Sequence, residues 1–169
     1  MAVRLEPVYL ANVLLFSEDI DTIRGFPLVS KNCREAMLSL KVNPAVLSPF
    51  PRKTLTYFPN INTIMVESLS NLTKHDVLPP TVTAIVVRSE NFESVTKGCL
   101  RFATRVVALR GFNVDMWEDG DFSLFTNLER LTLETVSDEV GLPSHQLKRL
   151  TVTGWDVESL LSFPPDCAE

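Results

Sequence analysis

The sequence predicts an α/β chain in which a small helical unit precedes a short solenoid built on one parallel β-sheet. Three observations predict it. An apolar-x-x-apolar-x-apolar pattern recurs five times along residues 61–152. Apolar residues at helical spacing are confined to roughly the first forty residues, before that pattern begins. Between the two, prolines cluster and the charge balance reverses. Residues 1–53 carry 7 Lys+Arg against 5 Asp+Glu, and residues 54–169 carry 9 against 16. Asn43-Pro44, Ser48-Pro49 and Phe50-Pro51 stand just before the reversal. Proline blocks helix continuation and drives its predecessor towards extended backbone. The boundary is therefore placed at residue 53, giving a helical unit over 1–53 and a repeat unit over 54–169.

The elements follow in order. Pro7 stands where a first helical turn tolerates proline. Tyr9, Leu10, Val13, Leu14 and Phe16 then form one apolar face at three- and four-residue spacing. Ser17-Glu18-Asp19 breaks that helix, and Asp19 caps a short second one holding Ile20 and Ile23 and ending at Gly25. A third helix follows Pro27, with Leu28, Val29, Cys33, Ala36, Met37 and Leu40 facing inward. Three short helices bury little alone, so the unit is expected to lean on the repeats.

The five repeats are Ile61-x-x-Ile64-x-Val66, Val82-x-x-Ile85-x-Val87, Thr104-x-x-Val107-x-Leu109, Leu128-x-x-Leu131-x-Leu133 and Leu147-x-x-Leu150-x-Val152. Their middle residues step by 21, 22, 24 and 19. A short alternating strand at a period in the low twenties is the mark of stacked units. Phe58 and Phe125 both stand three residues before a first core position and reinforce the register. The expected ladder stacks Ile64, Ile85, Val107, Leu131 and Leu150.

At 45% hydrophobic and 22% charged, the composition excludes general disorder. No run of about 18 apolar residues exists to cross a membrane. A net charge of −5 opposes nucleic-acid binding, which wants a basic surface. Met1 to Leu10 lacks the pattern of an export signal. Cys33, Cys99 and Cys167 are odd in number and far apart, which fits a reduced intracellular, cytoplasmic setting.

Residues 58–155 resemble irregular leucine-rich repeats. Residues 5–41 resemble an F-box, through Leu5-Glu6-Pro7 with Leu10, Val13 and Leu14, then Leu28-Val29-Ser30-Lys31-Asn32-Cys33-Arg34, then Leu40. F-box proteins often carry leucine-rich repeats in that order. Some positions depart from the pattern. Glu6 separates Leu5 from Pro7, and Cys33 stands where an aromatic is common. Leu69, Glu90, Phe112, Val136 and Trp155 replace the consensus asparagine that satisfies the turn between units. The F-box resemblance implies docking on the small adaptor subunit of a cullin-type ubiquitin ligase through Leu5, Pro7, Leu10, Leu28 and Val29.

The leucine-rich-repeat resemblance implies a concave sheet face, and strand alternation says which residues point out from it. The first row holds Thr63, Ala84, Val106, Arg130 and Arg149. The middle row holds Met65, Val86, Ala108, Thr132 and Thr151, and the third Glu67, Arg88, Arg110, Glu134 and Thr153. Apolar and hydroxyl groups flanked by charge are the usual make-up of a protein-binding patch. Met65, Glu67, Val86, Arg88, Ala108, Arg110, Thr132, Glu134 and Thr151 are its expected contact residues.

No residue set reaches a catalytic constellation, and no cofactor is signalled. His75 and His145 stand apart, each in turn-rich sequence and outside any metal motif. Asp115-Met116-Trp117-Glu118-Asp119-Gly120-Asp121 misses the spacing of a calcium loop and reads as a solvated turn. Cys33, on an apolar helix face, reads as a small buried hydrophobe.

Two functions are expected to compete. One is a substrate-binding adaptor of the ligase, and the other a non-catalytic scaffold whose N-terminal helices only cap the first repeat. The adaptor leaves several of the five docking residues exposed, whereas the cap buries nearly all of them. Beyond the last strand, only Leu160, Leu161 and Phe163 are at hand to cover Leu150, Val152 and Trp155. Weak self-association through that C-terminal edge is expected.

Overall fold

A computed structural model describes residues 5–73, 78–88, 100–113, 122–135 and 147–153. Three helices open the chain: α1 (Pro7–Leu15), α2 (Ile20–Val29) and α3 (Lys31–Ser39). A 3₁₀ turn at Ala45–Leu47 and α4 (Pro51–Tyr57) lead to β1 (Thr63–Val66). The one-turn helix α5 (Ser70–Thr73), β2 (Ala84–Val87), β3 (Val106–Asn113), β4 (Arg130–Thr135) and β5 (Arg149–Val152) follow. Short 3₁₀ turns at Leu100–Arg105 and Phe122–Leu124 precede β3 and β4.

The strands form one five-stranded sheet in sequence order, and every pairing is parallel. Their first residues, 63, 84, 106, 130 and 149, step by the same 21, 22, 24 and 19 residues as the sequence pattern. The link between neighbouring units also recurs. The Asn62 carbonyl accepts from the amides of Thr83 and Ala84, and the Glu129 carbonyl from those of Lys148 and Arg149. Asn60 Nδ2 donates to the Leu38 carbonyl at 3.0 Å, and Asn127 Nδ2 to that of Thr104 at 2.6 Å. Each asparagine directly precedes a first core position, Ile61 or Leu128. Phe58 and Phe125 are both buried, and each accepts through its carbonyl from the amide three residues on.

One hydrophobic core runs from helices to sheet. Ala11, Leu14, Ile23, Ala36, Met37 and Leu40 belong to the same cluster as Ile61, Ile64, Ile85, Leu109 and Leu131. Helices α1 and α2 each pack on α3. Residue 53 falls inside α4. Arg24 Nε, from α2, donates to the Tyr57 hydroxyl of α4 at 3.1 Å.

Residues 41–48 close the open edge of β1 in an arrangement the repeat pattern did not reveal. The Lys41 carbonyl accepts from Asn62 and Thr63, as Asn62 does for the next unit. Val42 bridges Thr63 in parallel, so Asn43 stands level with Ile64, one period of 21 residues earlier. Asn43 is buried, and its side chain replaces strand backbone. Nδ2 donates to the Met65 carbonyl at 2.9 Å, and Oδ1 accepts from the Met65 amide at 2.6 Å. Pro44 has no N–H to continue a ladder, so the amide side chain does so instead. The polar residue at a core position, followed by proline, hid this half-unit from an apolar pattern.

Three sequence expectations are corrected. Helix α2 does not stop at Gly25 but continues through Pro27 to Val29. Ser30 ends it and starts α3, its extended backbone letting Oγ accept from the Cys33 amide at 3.1 Å. Leu28 and Val29 therefore leave the inner face of α3. On α1, only Leu10, Ala11, Leu14 and Leu15 turn to the core, and Tyr9, Val13 and Phe16 face out. The third correction concerns the ladder. Ile85 pairs with Val106 and Val86 with Ala108, so Val107 is an extra residue in a bulge. Val106 points inward and is fully buried, while Val107 is half-exposed. The continuous ladder is Val66, Val87, Leu109, Leu131 and Leu150, with Ile64, Ile85 and Val106 beneath it.

Candidate functional site

Two surfaces carry the chemistry. The first lies on α1 and α2. Glu6 precedes α1 in extended conformation without a side-chain cap, and Pro7 supplies the preset first turn. Asp19 caps α2 by accepting from the Thr22 amide at 2.8 Å and its hydroxyl at 2.9 Å. Those bonds hold its carboxyl below the usual aspartate range.

Leu5 lies just before α1; with the helix anchored by Ala11 and Leu14, its other side carries Tyr9, Val13 and, at the C-cap, Phe16, spaced by four and three residues. Such spacing puts them on one stripe. Phe16 is 85% exposed and Leu5 54%. On α2, Leu28 is 85% and Val29 75% exposed. Asn32 Nδ2 donates to the Leu5 carbonyl at 3.0 Å, which ties the start of α1 to the α2–α3 junction beside Val29. Val13, Phe16 and Phe26 line a groove of about 540 Å³ between α1 and α2. Of the five docking candidates, Leu5, Leu28 and Val29 are exposed, and Pro7 and Leu10 are half-buried, Leu10 against the core. Sequence reasoning missed Tyr9, Val13 and Phe16 as surface residues. Two apolar stripes on one short helix could have revealed them.

The second surface is the sheet face turned away from the core. Glu67, Arg88, Arg110 and Thr151 are exposed there, and Met65 and Thr132 are half-exposed. Val86 and Ala108, expected to present themselves, are buried. They are small, sit side by side on the central strands, and lie outside the main core cluster. Glu134 lies in β4, with its side chain outside the described residues.

The β3–β4 pairing resets the rows, because Ala108 stands beside Arg130 and not beside Thr132. Met65, Val86, Ala108, Arg130 and Arg149 stand abreast. Val87 pairs with Leu109, which brings Arg88 level with Arg110. Arg88, Arg110, Arg130 and Arg149 are all exposed. Beside this face, Lys148 Nζ meets Glu129 Oε1 at 2.7 Å and lowers the carboxyl's pKa.

Cys33 is buried, with the Ser30 hydroxyl 3.2 Å from its sulfur. His75, His145, Cys99, Cys167, the 115–121 loop, Trp155, Leu160, Leu161 and Phe163 lie outside the described residues. Among the described residues, no helix is long and apolar enough to cross a membrane. No family model, curated protein or solved structure matches the chain.

Proposed function

We propose that the chain is a non-catalytic protein-interaction module of the F-box-like leucine-rich-repeat kind, acting as a substrate-binding adaptor of a cullin-type ubiquitin ligase. Its N-terminal helices dock on the ligase's small adaptor subunit, and its repeats, a short solenoid, hold a substrate protein. One observation carries the reading. Leu5, Leu28 and Val29 are exposed, as are Tyr9, Val13 and Phe16, although Ala11 and Leu14 of α1 and Ile23 of α2 are committed to the core. Single exposed apolar groups are ordinary, but a stripe on one helix joined to a second helix by an apolar groove marks a docking surface. The period and the repeated inter-unit hydrogen bonds support the repeat part. A buried free cysteine suits the reduced interior of the cell.

The alternative is a scaffold whose helices only cap the repeats. The Asn43 closure and the continuous core favour a capping role. That role uses only the inner faces, so it leaves the exposed stripe without a task. Among the described residues no strand pairs with the outer edge of β5, where Leu150 and Val152 are half-exposed. Weak self-association through that edge belongs to either reading.

The test is a pull-down of the small adaptor subunit with the intact chain and with a Leu28→Ser, Val29→Ser variant. The intact chain is expected to retain it and the variant to lose it while keeping its circular dichroism. Equal retention by both, or by neither, removes the adaptor reading.

A further inference from the structure

The arginines of the sheet face form one continuous array. Arg130 and Arg149 are direct cross-strand partners, and Arg88 stands level with Arg110. Arg110 follows Leu109, and Ala108 pairs with Arg130, so the two pairs meet on a diagonal. All four side chains are exposed. None of the four makes an ion pair within the described residues. Glu67 stands level with Arg88, and no ion pair joins them. Like charges on directly opposed strand positions repel, so the Arg130–Arg149 pair, offset only in part by the Glu129 carboxylate beside Arg130, costs stability. The cost falls away when an anion lies across it.

We infer that this face binds an acidic, Asp/Glu-rich segment of a partner protein. The inference rests on reading the sheet as a protein-binding surface and names the chemistry of its partner. Neighbouring strands lie about 5 Å apart, and so do the forks they carry at their bases. Each guanidinium takes one carboxylate in two parallel hydrogen bonds. Successive carboxylates on a peptide match such a spread array. A single phosphate would engage one or two forks and leave the others unanswered. Nucleic acid fits less well. Met65, Val86, Ala108, Thr132 and Thr151, which share the face with Glu67, offer no ring for a base to stack on.

The test is fluorescence anisotropy of a short fluorescein-labelled polyglutamate peptide titrated with the full chain. Competing probes are oligouridylate and a neutral peptide bearing one phosphoserine. Binding is expected at low salt, with a fall of about tenfold on moving to 0.5 M NaCl. The Arg110→Thr, Arg130→Thr double variant, which keeps strand-forming residues, is expected to bind about tenfold more weakly. Arg34→Ala, on exposed α3 surface, is expected to bind as the wild type does. No binding of polyglutamate by the intact chain overturns the inference. So does equal binding by the double variant, or tighter binding of oligouridylate or the phosphoserine peptide. Loss of the ligase subunit in the helix variant leaves this readout untouched, which separates the two failures.

Discussion

Asn43 does the work of a strand with one side-chain amide. It is buried, and both its donor and its acceptor are spent on backbone, chiefly that of Met65. Asn43→Ala leaves the Met65 N–H and C=O without these partners at a covered edge. A loss of about 2 kcal/mol is expected, read as a lower urea midpoint at unchanged slope. An unchanged midpoint would show that water replaces the amide without cost. Asp19 acts through charge instead. Its pKa is lowered by the Thr22 amide and hydroxyl. A depressed carboxylate contributes stability above its unfolded pKa and loses it as pH falls through the folded value. The gap in melting temperature between wild type and Asp19→Ala is therefore expected to be full at neutral pH. It narrows as pH falls below about 4, the unfolded carboxyl's value, and closes only as the folded cap itself takes up a proton at lower pH. A gap that stays constant from pH 7 to 3 would mean the cap is not ionic. Glu129, lowered by Lys148, works in the same direction.

Within single elements, the sharpest contrast is between the two sides of α1. Leu14 is buried and Val13 and Phe16 are not. Leu14→Ala is expected to cost about 3 kcal/mol, because it leaves a cavity in a core shared with the sheet. Val13→Ser and Phe16→Ser are expected to stay within about 0.5 kcal/mol while weakening adaptor binding. Equal destabilisation by all three would place the stripe inside the core. Strand β3 offers the parallel test. Val106 is inward and Val107 sits in the bulge. Val106→Ala should cost about 2 kcal/mol and Val107→Ala less than about 1 kcal/mol. The reverse order would restore the regular ladder that the apolar pattern alone suggests.

For the whole molecule, the helical unit and the sheet share one core, so they should unfold together. The two edges of the sheet are unequal. Beside β1 runs the 41–48 segment, while the outer edge of β5 has no strand partner within the described residues. Unpaired edges template association. Light scattering is expected to show a monomer at low concentration and a rising mass at high concentration. A strict monomer throughout would rule out association through β5. Opposed arginine faces limit any such contact, so added salt should promote it.

Much of this architecture was legible in the chain itself. The recurring apolar pattern anticipated the spacing and number of these strands, because each strand turns apolar residues at alternate positions to the core. Pro7 and Asp19 marked the starts of α1 and α2 through local backbone chemistry. The tertiary structure alone decided which apolar residues remain outside. Tyr9, Val13, Leu28 and Val29 are as apolar as their buried neighbours, and only packing on α3 selects between two apolar sides. It also decided the register of the arginines. The sequence places Arg110, Arg130 and Arg149 on β3, β4 and β5 and Arg88 just past β2, but the pairing of Ala108 with Arg130, two residues from the register that the apolar pattern gives, sets Arg130 and Arg149 diagonal to Arg110. A period fixes what repeats, whereas a bulge is settled by long-range pairing that no local pattern encodes.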